Sequence, residues 1–209
     1  MSRIFLVRHG EVEGNSGNRP TFSGWHDVVL TARGQAQAQA TAQRLAGEHI
    51  GAVFSSDLQR ARDTAEKIAA RHGLVVQTDT ALREVNYGAW SGLGEAEIEA
   101  GWSDLWRRRL SDAVNVAAPE GESLRDLQKR LLPAWQRIVE TNRESERDFV
   151  VVGHNGSIRV LVCYLLGVPL ENYRRVRSEN CGITGIEISP DAKPPVVLFV
   201  NETSHLKSV

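Results

Sequence analysis

Cysteine is scarce in this chain of 209 residues: Cys163 sits in an apolar helical pattern and Cys181 precedes a glycine. Neither has the spacing of a zinc site or redox pair, so two buried reduced thiols are expected rather than a disulfide framework. Proline is sparse at 7 residues, while 41% of positions are apolar and 24% charged, which excludes collagen-like and disordered classes. Charge of one sign is missing as well. With 25 Lys+Arg against 26 Asp+Glu the net charge is -1, so no global field draws the chain to nucleic acid or an acidic membrane. Any anion site must therefore be local. The longest nearly uncharged apolar run, Val160 to Leu170, reaches about half the ~20 residues that span a bilayer, and Pro169 interrupts it. Met1 to Val7 runs straight into Arg8-His9, leaving an apolar core shorter than the ~7 to 15 residues of a secretory signal, so the expected address is the cytoplasm. His26, His49, His72 and His205 have no metal-ligand spacing and no acidic cluster suggests a two-metal centre; neither metal nor cofactor is expected.

No repeat, low-complexity tract or linker divides the sequence, which reads as a single domain over residues 1–209. Ile4 to Val7 is a short apolar run ending at charge and Gly10, as in a strand buried on both faces of a parallel sheet. From His9 to about Val29 no period is sustained, marking a long functional or flexible loop. Thr31 then caps a helix from Ala32 to about Ala46. Ala52 to Phe54 is a second strand, Ser55-Ser56-Asp57 a cap for a helix from Leu58 to about His72, and Val75-Val76 a third strand. A Trp-bearing helical stretch from about Glu95 to Leu110 breaks the alternation; residues of about 89–122 are expected to cover one end of the sheet. Ser123 and Asp126 form a capping-box variant opening a helix to about Asn142, which Pro133 should kink. Phe149 to Val152 is the strongest strand, with a helix from Ser157 to Leu166 beyond it. Ile183 to Ile188 and Val196 to Val200 close the chain as strands, the second at an edge because Pro194-Pro195 precede it. Alternating strands and helices indicate an α/β fold, a three-layer α/β/α sandwich around a mostly parallel sheet.

Two of these strands each deliver a histidine at the carboxyl end, His9 and His154, where open α/β sheets bind ligands. Each is flanked by glycine, which lets a ligand or backbone approach closely. One such histidine is commonly no more than a polar turn residue; two in the same setting suggest a site.

Leu6-Val7-Arg8-His9-Gly10-Glu11 resembles the opening motif of the histidine phosphatase superfamily, which includes the phosphoglycerate mutases. The resemblance covers nearly the whole chain, through Ser55 to Ala65, Leu82 to Glu84 with Tyr87 to Gly92, Gly121 to Ser123, and Val152 to His154 with Ile158-Arg159. It implies a phosphoglycerate mutase-like fold and a phosphohistidine formed on His9, which needs a neutral imidazole with one bare nitrogen. It implies that Arg8 and Arg60 hold the phosphoryl oxygens through their planar forks, that His154 is a third donor or cation, and that the Asn15 amide touches phosphate. Glu84 matches the general acid and base; a second negative charge beside phosphate is disfavoured, which suits a carboxyl carrying a proton to the leaving oxygen. Without the resemblance, Glu84 reads as a surface partner of Arg83. Glu11 reads equally as a loop-orienting residue, and Arg62 as an ion-pair partner of Asp63 or Glu66.

Phe22 to Val28 resembles the mutase substrate loop and brings in Ser23 and Gly24 as substrate contacts. The chain departs from the family at His154-Asn155-Gly156, where His-Gly is usual, so a backbone donor directly after His154 is put in question and Asn155 becomes a candidate contact. Arg107 to Arg109, and Arg174-Arg175 with Arg177, are read either as solvated helix surface or as a grip for a second acidic group such as a carboxylate. Trp25, Trp90, Trp102 and Trp106 read as an apolar lid or as packing. Between Glu84 and Gly121 lie 36 residues, a shorter cover than the mutases carry, which favours water as acceptor and a phosphatase. The mutase is the alternative, and a non-catalytic phosphate-binding scaffold the third reading. The expected partner is a small phosphomonoester rather than nucleic acid or membrane, with a homodimer left open.

Overall fold

Alternate residues of Ile4 to Val7 face opposite apolar layers, because successive side chains on a strand point to opposite sides. A computed structural model of the chain describes residues 1–14, 20–191 and 193–209, and in it this run is the centre of strand β1, Ser2–Arg8. The other strands are β2 (Ile50–Ser55), β3 (Val76–Thr78), β4 (Asp148–Gly153), β5 (Ile183–Ile188) and β6 (Val196–Glu202). They form one six-stranded sheet in the order β3-β2-β4-β1-β5-β6. The first four are parallel, while β5 is antiparallel to both β1 and β6. β6 lies at the edge as its preceding prolines suggest.

Helices cover both faces. Phe5, Val7, Val53, Val150 and Val152 pack against α1 (Ala32–Leu45) and α2 (Gln59–Ala70). Ile4, Leu6, Phe54, Phe149 and Val151 pack against α4 (Leu124–Asn142) and α5 (Asn155–Leu165). Thr31 caps α1 by accepting from the Gly34 N–H, and Ser123 with Asp126 makes the reciprocal box at α4. The cap expected at Ser55-Ser56-Asp57 is not made. Leu58, which cannot cap, is the flanking residue of α2; its N–H goes to Ser56 Oγ at 3.3 Å, the Gln59 N–H goes to Asp27 at 2.8 Å, and Asp57 pairs with Arg83 instead. α4 continues through Pro133 as one helix, and in α3 (Glu95–Ser111) Trp102 is non-helical at φ -142° and ψ 43° after Gly101. Both cysteines are free and buried.

Trp90, Ile98, Trp106 and Ala118 form a small core of their own, with Phe22 and Tyr87 packed on it. α3 and its flanks are thus packed around a core separate from the two layers on the sheet. Of the four tryptophans considered for a lid, Trp90 and Trp106 are therefore packing residues, with rings in edge contact 5.6 Å apart. No helix among the described residues is long and apolar enough to cross a membrane.

Chain order and sheet order differ at one place that matters. β4 inserts between β1 and β2, so β1 and β4 become neighbours although some 140 residues separate them. Their following helices, α1 and α5, lie on opposite faces, which opens a crevice at the carboxyl ends of these two strands.

Candidate active site

Parallel pairing sets Arg8 of β1 opposite Gly153 of β4, so the next residues, His9 and His154, emerge side by side in that crevice. The His9 N–H donates to Gly153 O at 3.0 Å, and the two imidazole centroids are 5.1 Å apart. His9 Nδ1 lies 2.7 Å from Gly10 O. A carbonyl only accepts, so Nδ1 carries the hydrogen and Nε2 is left bare. Burial, then the cations of Arg60 and Arg8, press the His9 pKa well below its ordinary value, keeping the ring neutral. We expect the His9 ring nitrogens in an NMR pH titration to report the Nδ1-protonated neutral tautomer from about pH 8 down through the ordinary midpoint of about 6.5, without the usual histidine transition. A shift at that midpoint would contradict it.

A cavity of about 190 Å³ opens on this ring, lined also by Arg8, Ser23, Gly24, Arg60, Glu84, Tyr87 and Asn155. Arg8 donates one N–H to Ser178 O at 2.7 Å, while its buried Nε has no partner. Desolvation lowers its pKa to about 10, so it remains a cation at neutral pH. Arg60 is 1% exposed and donates to Gly24 O at 2.6 Å and His26 O at 3.1 Å. It thus ties down the loop that carries Ser23, whose buried Oγ is unpartnered. Gly24 sits at φ +50°, where an added Cβ would also meet the Tyr87 N at 3.0 Å.

His154 is fully buried and neither ring nitrogen has a protein partner. The sequence allowed it to be a cation. Burial and the nearby Arg60 instead push its protonation far below the ordinary histidine range, which makes it a neutral N–H donor.

Glu84 is not the partner of Arg83, whose guanidinium goes to Asp57. Its carboxylate accepts from Val85 N at 2.9 Å and Gly156 N at 3.0 Å. A Cβ at residue 156 would lie 2.4 Å from Glu84 Oε1, so a side chain there would displace the Glu84 carboxylate from its present position. The Gly156 N–H thus goes to the Glu84 carboxylate rather than into the cavity. Asn155 occupies the extra position on the cavity wall, its Oδ1 buried and unpartnered.

Sequence reasoning missed what anchors Glu84. Trp25 lies between the guanidinium groups of Arg83 and Arg130, at 4.9 and 5.5 Å, and its Nε1–H donates to Glu84 O at 2.7 Å. Arg130 donates to the carbonyls of Ala81, Arg83 and Glu84 and pairs with Glu122. Nothing local in α4 marks Arg130, because its partners come from segments far away in the chain. Trp25 is thus a clamp, not a lid.

The remaining candidates separate. Glu11 ties the loop to Thr31 and Arg33, and Arg62 pairs with Glu66 on the surface of α2. Arg109 is buried and holds Val116 O and Glu122 O, Arg174 faces a second cavity, and Arg107 and Arg177 pair with their neighbours Asp104 and Glu179. Asn15 lies outside the described residues. Among the described residues no three His, Cys, Asp or Glu side chains converge as metal ligands.

A buried neutral imidazole beside guanidinium groups is an arrangement that can accept a phosphoryl group, and comparison with known proteins agrees. The model of the histidine phosphatase superfamily (branch 1) matches residues 4–203. The chain is 34% identical to a protein of Erwinia tasmaniensis named probable phosphoglycerate mutase GpmB, covering 99% of this chain and 96% of the other. It is 32% identical to phosphoserine phosphatase 1 of Hydrogenobacter thermophilus, covering 99% and 95%. The solved structure of mycobacterial glucosyl-3-phosphoglycerate phosphatase complexed with VO3 superposes with a TM-score of 0.84 at 33% identity, covering 97% of this chain and 100% of that one. With both sequence and tertiary structure matched from end to end, this chain belongs to the histidine phosphatase superfamily.

Proposed function

We propose that the protein hydrolyses a small phosphomonoester through a phosphohistidine on His9, without a metal. One observation carries this: the bare Nε2 of a neutral, anchored His9 opens on a cavity walled by Arg8 and Arg60. In the first step Nε2 attacks phosphorus, the bond to the ester oxygen breaks, and the Glu84 carboxyl gives its proton to that oxygen. In the second, Glu84 takes a proton from water as the water oxygen attacks phosphorus; the N–P bond breaks and phosphate leaves. Arg8, Arg60 and the His154 N–H supply fixed donors to the phosphoryl oxygens in both steps, replacing the charge a metal would bring.

Two relatives named as phosphatases support hydrolysis. The relative named as a mutase, together with the loop from Phe22 to Val28, supports the alternative, transfer to a second hydroxyl instead of water. Quenching turnover of a ³²P-labelled phosphomonoester in base should leave an acid-labile label on His9, with phosphate release unaffected by chelator. Interconversion of 3- and 2-phosphoglycerate much faster than phosphate release would favour the mutase. Failure to trap label on His9 during turnover would end both readings.

A further inference from the structure

Glu84 sits on a stretch, residues 83–87, that forms neither helix nor strand, so its carbonyls have no ladder to join. One side chain of α4 holds them instead. A guanidinium carries five N–H groups in a fixed fork, and each one of Arg130 has an acceptor: Nη1 donates to Ala81 O at 2.9 Å and Arg83 O at 3.0 Å, Nη2 to Glu84 O at 2.6 Å and Glu122 Oε2 at 2.8 Å, and Nε to Glu122 Oε1 at 2.7 Å. Glu122 Oε2 also accepts from Asn86 N at 2.9 Å, while the Glu122 N–H donates to Asn86 O at 2.7 Å. The main chain is thus held on both sides of Glu84. Trp25 brings a third segment to the same point: its Nε1–H reaches Glu84 O, and its chain neighbours Gly24 and His26 are held through their carbonyls by Arg60. Of the described residues that line the His9 cavity, Glu84 is one and Arg130 and Glu122 are not.

Drawing Arg130 and Glu122 partly out of water offsets much of their attraction, so what the pair fixes above all is geometry: a rigid fork with every donor engaged permits one course of the chain past it. Geometry is what an acid needs. Proton transfer requires the carboxyl within about 2.6 to 3.2 Å of the oxygen it serves, and a displacement of about 1 Å caused from a distance can cost about 100-fold. Building on the phosphatase reading above, we propose that Arg130 is a positioning residue for Glu84. It touches no substrate. It sets the main chain from which the carboxyl reaches the ester oxygen, so that the proton passes to that oxygen as its bond to phosphorus breaks. Through Trp25 the same hold extends to the loop of Ser23 and Gly24 on the cavity wall.

Aryl phosphates of graded leaving-group basicity test this, because kcat/KM ends at release of the phenol and so reads only the step in which Glu84 is the acid. Arg130→Lys keeps a charge beside Glu122 but not the fork. We expect it to lower kcat/KM by about 10- to 100-fold for phenyl phosphate and by less than about threefold for p-nitrophenyl phosphate, steepening the dependence on leaving-group basicity. In a Glu84→Gln background, where no proton is given, the same substitution should cost less than about twofold on either ester. Trp25→Phe removes the other N–H on Glu84 O and should steepen the dependence in the same direction; it decides the matter by itself if circular dichroism shows that Arg130→Lys does not fold. Equal slowing of all esters, no slowing, or a loss that simply adds to that of Glu84→Gln would overturn the positioning role while Glu84 stood as the acid. A Glu84→Gln variant with an unchanged leaving-group dependence would overturn Glu84 as the acid, and Arg130 with it. No His9-dependent phosphate release from any of these esters would overturn the phosphatase reading itself.

Discussion

His9→Ala is expected to lower kcat by at least about 10⁴-fold and to abolish the acid-labile phosphoenzyme, with the fold retained. The size follows from the role: removing a covalent nucleophile leaves binding and electrostatic stabilisation, which by themselves supply little of the rate of such machinery. The side chain is 3% exposed, but its polar anchor is a single hydrogen bond to the neighbouring Gly10 carbonyl, and truncation breaks no ion pair. A urea melt and steady-state phosphate release on the same preparation separate the two effects. Full turnover by the variant, or label mapping to His154 in the wild type, would refute the assignment.

Glu84→Gln should show a leaving-group split. For an alkyl phosphate, whose departing oxygen must be protonated, loss of the acid is expected to cost about 10²- to 10⁴-fold in kcat. p-Nitrophenol needs no proton to leave, so the first step survives with that ester. The second does not, because the same side chain deprotonates water. The expected trace is therefore a burst of p-nitrophenol equal to the enzyme concentration, followed by slow turnover and an accumulating phosphohistidine. Because the substituted amide would keep an oxygen for one of the two N–H donors from Val85 and Gly156, local packing should change little. Equal slowing of both esters without a burst would reduce Glu84 to a structural residue.

Much of the site could be read from local pattern. Apolar runs ending in Arg8-His9-Gly10 and Gly153-His154 marked two buried strands and the end at which they deliver side chains, because a strand buried on both faces has no polar positions until it leaves the sheet. Thr31 and Ser123 named their helices because a cap needs only its own backbone neighbours. Where a distant partner competes, local reading fails. By local pattern Asp57 helps to cap α2, yet it goes to Arg83; the pairing of Glu84 with Arg83 dissolves for the same reason. Arg130 and Trp25 are illegible as anchors, since the carbonyls and guanidinium groups they engage come from segments assembled only in three dimensions.

The sequence by itself determined the chemical vocabulary: two histidines at strand ends, two arginines beside them, a carboxyl, and a glycine shifted by one residue after His154. Only the tertiary structure decided that these form one site, by inserting β4 beside β1 in parallel register and so setting two imidazoles 5.1 Å apart. It also decided protonation, because what holds both rings neutral is burial beside Arg60 and Arg8, and neither the depth of burial nor the distance between charges is a property of a chain segment.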